Sequence, residues 1–310
     1  MNHLNDVVSS VVLSRRLDDE SGGNHAPLPK SASLNAKYKA VFISDVHLGT
    51  KDCKAKHLAE FLKANSCETL YLVGDIFDGW RMRRGVYWNK SFNKVVRRVL
   101  KIAKQGTSVY YITGNHDEFL RRYASASFDN IKLVNRCTHI GKNGNRYLVI
   151  HGDQFEGVTH CSKILKYIGD VGYELLMGLN RLFNKLRAQA GFGFWSFAAF
   201  LKRKIKRAKK YIDDYECAVA KGARIQGYDG VVCGHIHHAN IREIEGTLYL
   251  NTGDWVESCT SIVETHEGEF KLVEWLRSDD YLALKRKKHD KREKSQKRHI
   301  KKALLQAALD

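Results

Sequence analysis

Apolar residues along this chain gather into short continuous runs, separated by longer stretches in which they recur every three or four positions. Five runs are rich in β-branched and aromatic residues: KAVFIS at 39–44, TLYLV at 69–73, SVYYIT at 108–113, RYLVI at 146–150 and GVVC at 230–233. A strand open to water on one side alternates polar with apolar, so unbroken apolar character predicts strands buried on both faces. Between the first three lie AKHLAEFLKANS and NKSFNKVVRRVLKIAKQG, whose spacing predicts helices. The opening is therefore βαβαβ, an α/β sheet with right-handed crossovers. Further on, TLYLNTGDWVE, CTSIVETHEG and EFKLVEWL read as strands joined by short turns, a second and antiparallel portion.

The regions outside that pattern set the domain plan. Residues 1–36 hold both prolines, Pro27 and Pro29, in a polar stretch expected to be a flexible arm. Residues 37–280 carry the alternating elements and form one domain. Within it, about 155–228 reads as a helical insertion with greasy and basic faces: YELLMGLNRLFNKL is followed by GFGFWSFAAFLKRKIKRAKKYI. Residues 281–310 form a basic tail, with eleven Lys/Arg against three acids from Lys285 onward. The first residues lack a basic segment ahead of their short apolar stretch and do not read as a signal peptide.

Each of the five strand runs ends in a polar cluster. In order these are Asp45-Val46-His47, Gly74-Asp75 with Asp78, Gly114-Asn115-His116-Asp117, His151-Gly152-Asp153 and Gly234-His235-Ile236-His237. Ligands bind beyond the carboxyl ends of strands in α/β sheets, so the five clusters should meet at one edge. At alternate positions of an extended segment side chains share a face, which lets Asp45 and His47, or His235 and His237, reach one ion together. Any one cluster alone is commonplace: a turn, an Asx-bonded loop or a core histidine accounts for it. Five in sequence, each directly after a buried strand, point to a metal centre. Carboxylates, imidazoles and one amide oxygen suit manganese, iron or zinc better than calcium. Two divalent ions so held can activate a water and clamp the oxygens of an in-line displacement at phosphorus.

The ordered set DVH, GDIFD, GNHD, HGD and GHIH resembles the calcineurin-like metallophosphoesterase superfamily over residues 40 to about 260. The resemblance implies a double β-sandwich flanked by helices, with a di-metal site at one edge. It implies one ion on Asp45, His47, Asp75 and His237, and another on Asp75, Asn115, His151 and His235, with Asp75 bridging. His116 is then the residue beside the metals that stabilises the transferring phosphoryl group or protonates the leaving oxygen, and Asp117 is expected to orient it through a hydrogen bond. Asp78 and Asp153 are weaker candidates, and His238 is more simply a solvated loop residue than a substrate contact. Within the superfamily GDIFDGW, GNHDEF, HGDQF, GHIHHA, NTGDWVES and the long insertion resemble the UDP-2,3-diacylglucosamine hydrolase group, in which the insertion is a lid over acyl chains. One residue departs: the best-known lipid A enzymes of that group carry Arg where this chain has His116.

On that resemblance the substrate is a phosphorylated lipid or a nucleotide-linked compound, and the enzyme is cytoplasmic, with an anionic membrane surface as partner. The insertion suits tails and phosphates: Phe194 and Trp195 are greasy, while Lys202, Arg203, Lys206 and Arg207 belong to a run of seven Lys/Arg within 202–210. A hairpin whose apolar face packs on its own domain explains the same pattern. The formal charge of +18 adds that some partner is anionic, lipid or nucleic acid alike. A nuclease is thus the alternative activity, and an inactive binding protein on the same fold the alternative class; the complete ligand set stands against the latter. The seven cysteines include no CxxC pair and fit reduced thiols rather than a disulfide framework.

Overall fold

The computed structural model describes residues 37–158, 180–187, 189, 206–290 and 293. All five apolar runs are strands: β1 (Tyr38–Ile43), β2 (Cys67–Val73), β3 (Ser108–Ile112), β7 (Arg146–Val149) and β8 (Gly230–Cys233). Both expected helices are present, α1 (Ala55–Ala64) and α3 (Lys90–Lys104). The side chain of Asn89 caps α3 by accepting from the backbone N–H groups of Ser91 (2.7 Å) and Phe92 (3.3 Å), which have no partner within the helix. A short helix α2 (Gly79–Arg84) sits between them.

The strands form two sheets. In the seven-stranded sheet the order is β12 (Phe270–Glu274), β11 (Thr260–Glu264), β1, β2, β3, β5 (Ile131–Val134) and β4 (Ser127–Phe128). Strands β1, β2, β3 and β5 run parallel, as the crossovers require, and β11 adds antiparallel to β1. The five-stranded sheet is ordered β6 (Cys137–Ile140), β7, β8, β10 (Thr247–Asn251) and β9 (Asn240–Ile244). The late strands do not form an antiparallel portion of their own. β10 joins β8 in parallel inside the second sheet, while β11 and β12 return to the first.

Strand alternation explains why these runs are apolar throughout. Along β1, Val41 and Ile43 point outward under α1 and α3, among Leu58, Phe61, Phe92 and Val95. Ala40 and Phe42 point inward, where Tyr71, Tyr110, Val149, Val232 and Leu250 of both sheets meet. The second sheet's outer face packs Leu148, Val231 and Tyr249 against Tyr215, Ala218 and Val219 of α4 (Lys206–Ile225). The fold is thus a double β-sandwich with helices on both outer faces, and every central strand is buried twice.

Of the expected insertion, the structure describes a 3₁₀ turn at Asp153–Val158, a helical stretch at 180–187 and α4. Phe194, Trp195, Lys202 and Arg203 lie outside the described residues, as do the side chains of Lys206 and Arg207 and the whole of 1–36. At the other end, helical residues 279–290 follow β12, and Tyr281 packs on Trp275 and His57. No helix among the described residues is long and apolar enough to cross a membrane.

Candidate metal centre

Five loops, each leaving the carboxyl end of a strand, carry the predicted residues to one edge. Backbone hydrogen bonds hold the loops side by side after the sheets end: Asp45 N–H donates to Gly74 O (3.1 Å), His47 N–H to Asp75 O (2.9 Å) and Gly234 N–H to His151 O (3.0 Å). The centre also joins the two sheets, because His151 Nδ1 lies 2.9 Å from Val73 O of the other sheet.

The ligand residues are not extended, as alternate-position reasoning supposed. Asp45 (φ 51°), His47 (51°), Asp75 (53°), His235 (70°) and His237 (52°) all occupy the left-handed region, which costs a non-glycine residue about 1–3 kcal/mol. The side chains converge because the backbone curls under them. Two glycines make room for this curl. At Gly74 (φ 79°) a Cβ would strike the His151 ring, and at Gly114 it would strike the Asp75 carboxylate.

Each carboxylate has one oxygen held by the protein and one turned inward. Asp45 Oδ2 accepts from the Ser44 hydroxyl and from His235 N–H (3.0 Å), and Asp75 Oδ1 accepts from His116 N–H (2.8 Å). Asp45 Oδ1 and His47 Nε2 are buried without a hydrogen bond. They stand 3.9 Å apart, with His237 Nε2 at 3.0 Å from Asp45 Oδ1 and Asp75 Oδ2 at 3.9 Å from His47 Nε2. A second group adjoins it: His151 Nε2 is 3.2 Å from both Asp75 Oδ2 and Asn115 Oδ1, and His235 Nδ1 is 3.1 Å from Asn115 Oδ1. Asp75 belongs to both groups. Buried carboxylate and imidazole atoms facing one another across 3.0–3.9 Å, in a mixed N/O set, are what a divalent transition metal needs. The residues fit two ions.

The electrostatics agree. Burial alone would push the Asp45 carboxyl up, but His237 and His151 draw it down to about 2, and Asp75 is likewise held below the usual carboxylate range, chiefly by His151. Burial works against charge on His47 and His151 too, yet the surrounding aspartates hold both above the ordinary histidine value. The pocket attracts cations, and without metal His47 and His151 hold protons more readily than usual, whereas burial and the neighbouring His151 push His235 down to about 4.

Two assignments differ from expectation. The carboxylate beside the His116 ring is Asp78, whose Oδ1 lies 3.2 Å from His116 Nδ1 and whose Oδ2 lies 3.1 Å from His47 Nδ1. Asp117 does not orient that ring. It points under the loop, where it accepts from Gly114 N–H (2.5 Å), Ile76 N–H (3.0 Å) and the Tyr111 hydroxyl (2.6 Å). Three neighbours were not singled out by sequence. Ser44 braces Asp45, Tyr111 braces Asp117, and the Trp80 ring lies 4.2 Å from that of His116. Trp80 was within reach, as the end of GDIFDGW; nothing marked Tyr111. Asp153 bonds Arg121 (2.6 Å), and His238 stands half-exposed, 3.5 Å from the buried Glu216.

The calcineurin-like phosphoesterase family profile matches residues 38–239. The chain belongs to that family. It is a phosphoester hydrolase of a dimetal-dependent kind, with the metal-ligating residue types gathered as that chemistry requires. The UDP-2,3-diacylglucosamine hydrolase of Aliivibrio fischeri is 27% identical over 252 residues, covering 74% of this chain and 99% of that protein. The enzyme of the same name from Neisseria gonorrhoeae is 24% identical over 239 residues, covering 72% and 92%. Among solved structures, a dimetal phosphatase from Danio rerio is similar with a TM-score of 0.39 and 13% identity, covering 78% of this chain and all of that one.

Proposed function

We propose that this hydrolase cleaves the pyrophosphate of UDP-2,3-diacylglucosamine or of a closely related nucleotide-linked, acylated compound, using two manganese ions, at the inner face of a membrane. What carries the substrate reading is coverage: the likeness to the Aliivibrio enzyme runs over 99% of that protein rather than over the metal motifs alone. Iron and zinc suit the same donor set.

In this reading Asp45, His47, Asp75 and His237 hold one ion, and Asp75, Asn115, His151 and His235 the other. Such a pair, when bound, supplies an activated water and neutralises charge at phosphorus. The chain's own part is positioning and proton supply. His116 N–H fixes one oxygen of Asp75, leaving the other for the shared position. Asp78 lies against His116 Nδ1, so Nε2 is the nitrogen left to donate a proton to the leaving oxygen. Trp80 backs the ring and restricts its tilt. Phe194 and Trp195 receive acyl tails, and Lys202, Arg203, Lys206 and Arg207 receive phosphates or headgroups.

The test sets manganese-loaded protein against UDP-2,3-diacylglucosamine, bis-p-nitrophenyl phosphate and single-stranded DNA in parallel. The proposal expects the first to turn over with the highest kcat/KM. DNA is the third arm because the charge of +18 favours a polyanion; preferential DNA cleavage would replace this reading with a nuclease.

A further inference from the structure

From Gly79 to His116 the chain contains nine Lys/Arg and no Asp or Glu. The structure sorts these charges. On α3 the residues Phe92, Val95, Ile102 and Ala103 are buried against the domain. Lys90, Lys94, Arg97, Lys101 and Lys104 recur at intervals of three and four, so they share the opposite face, and all five are exposed. None of the five is in an ion pair among the described residues. At about 1.5 Å per residue, this 15-residue helix lays its stripe along roughly 20 Å.

An apolar tip adjoins the stripe. Between α2 and α3, Val86 is 71% exposed and is followed by the exposed rings of Tyr87 and Trp88. The tip is held firmly from behind: Trp88 stacks on Phe77 (6.2 Å), meets Phe92 (5.3 Å) and donates to Asn93 Oδ1 (2.7 Å), while Tyr87 meets Phe92 edge-on (5.8 Å). α2 then runs back to Trp80, whose ring lies against His116 at the metal centre.

We propose that this face, the α3 stripe with the Val86–Trp88 tip, docks the protein on the anionic phospholipid headgroups of a bilayer. The cation stripe matches a plane of phosphates. Exposed tryptophan and tyrosine beside a bare aliphatic residue suit the headgroup level, where one end of a ring is wet and the other apolar. A nucleic-acid face would use stacking rings and phosphate contacts but has no use for Val86. The inference deepens the lipid-linked reading and rests on it for the direction in which the site faces. Its test needs no substrate, so the two fail separately.

The experiment is co-sedimentation of the full chain with phosphatidylcholine vesicles, with and without phosphatidylglycerol. The parent should bind only the phosphatidylglycerol vesicles. Lys94→Glu/Arg97→Glu/Lys101→Glu should weaken this at least roughly five-fold per cation, and Val86→Ser should weaken it several-fold, both melting as the parent does and both hydrolysing bis-p-nitrophenyl phosphate at the parent rate. A matched charge reversal in the tail, Lys297→Glu/Arg298→Glu/Lys301→Glu, should retain most binding. No binding by the parent overturns the proposal. So does undiminished binding by the α3 variant, or loss of single-stranded DNA binding in that variant while vesicle binding stays intact.

Discussion

Among the described residues, acids and histidines are buried together in two places, and these are built to opposite rules. Between the two sheets, His139 of β6 donates through Nε2 to Glu264 Oε2 (2.7 Å) and accepts at Nδ1 from the Tyr71 hydroxyl (3.1 Å). Glu264 Oε1 accepts in turn from Lys142 N–H (2.7 Å) and lies 3.4 Å from Lys39 Nζ. Every polar atom has its partner, and none of the three backbones is left-handed. At the metal centre Asp45 Oδ1 and His47 Nε2 lack hydrogen bonds, and five ligand residues are strained. Burial and composition are alike in the two clusters. What separates a structural cluster from a functional one is completeness: the first is finished by the protein, the second only by something added to it.

Substitutions should divide along that line. Asp75→Asn keeps the acceptor for His116 N–H but removes the charge shared by both ligand groups; we expect phosphodiesterase activity to fall at least ~10⁴-fold, in a protein that still folds. Near-parental turnover would show that Asp75 is not shared. His116→Ala should keep bound metal yet lose ~10² to 10⁴ in rate, less for a nitrophenolate leaving group than for an alkoxide. An equal loss for both would replace proton donation with charge stabilisation.

Glu264→Ala should act in the reverse sense. Leaving His139 Nε2 without its buried acceptor should lower stability by about 1–3 kcal/mol, read by urea denaturation, while metal content stays unchanged. A variant that melts as the parent does but loses metal would erase the distinction.

The smallest expected effect is on pH. Burial holds His139 below the ordinary 6.5, so below that value the unfolded chain takes up a proton that the folded chain refuses, and stability declines. Glu264 is kept below its ordinary 4.5, with burial opposing and the His139 hydrogen bond prevailing; its contribution is present above 4.5 and is lost as pH falls through the lowered value. Stability of the metal-free protein should therefore fall from about pH 6.5 downward, and His139→Asn, which removes the first of these groups, should flatten the slope between 6.5 and 4.5. An unaltered slope in that variant would assign the acid sensitivity to other groups.

How far the sequence revealed this depended on whether a signal was local. The five strand-end loops were legible because each places polar residues directly after an apolar run that could only be a buried strand. The partner of His116 was not. Asp117 is its chain neighbour, but consecutive side chains diverge at a turn, so Asp117 faces back toward β3 while Asp78 arrives from another loop. The segment 127–140 was unreadable for a related reason. β4 lies at a sheet edge with Phe128 exposed, and β5 is mostly half-buried, so neither shows the unbroken apolar signature. The His139–Glu264 pair is 125 residues apart and could only be seen folded.

The central claim is that buried Asp45 and His47 atoms are left open for metal beside the shared Asp75, and thermal melting of stripped and manganese-reloaded protein tests it most directly. The parent should melt at a higher temperature with metal, since an ion at a hundred times its Kd adds ~2.7 kcal/mol to the folded state, and Asp75→Asn should lose most of that rise. A parent whose melting is indifferent to chelation and reloading, or an Asp75→Asn protein that rises as far as the parent, would contradict the account.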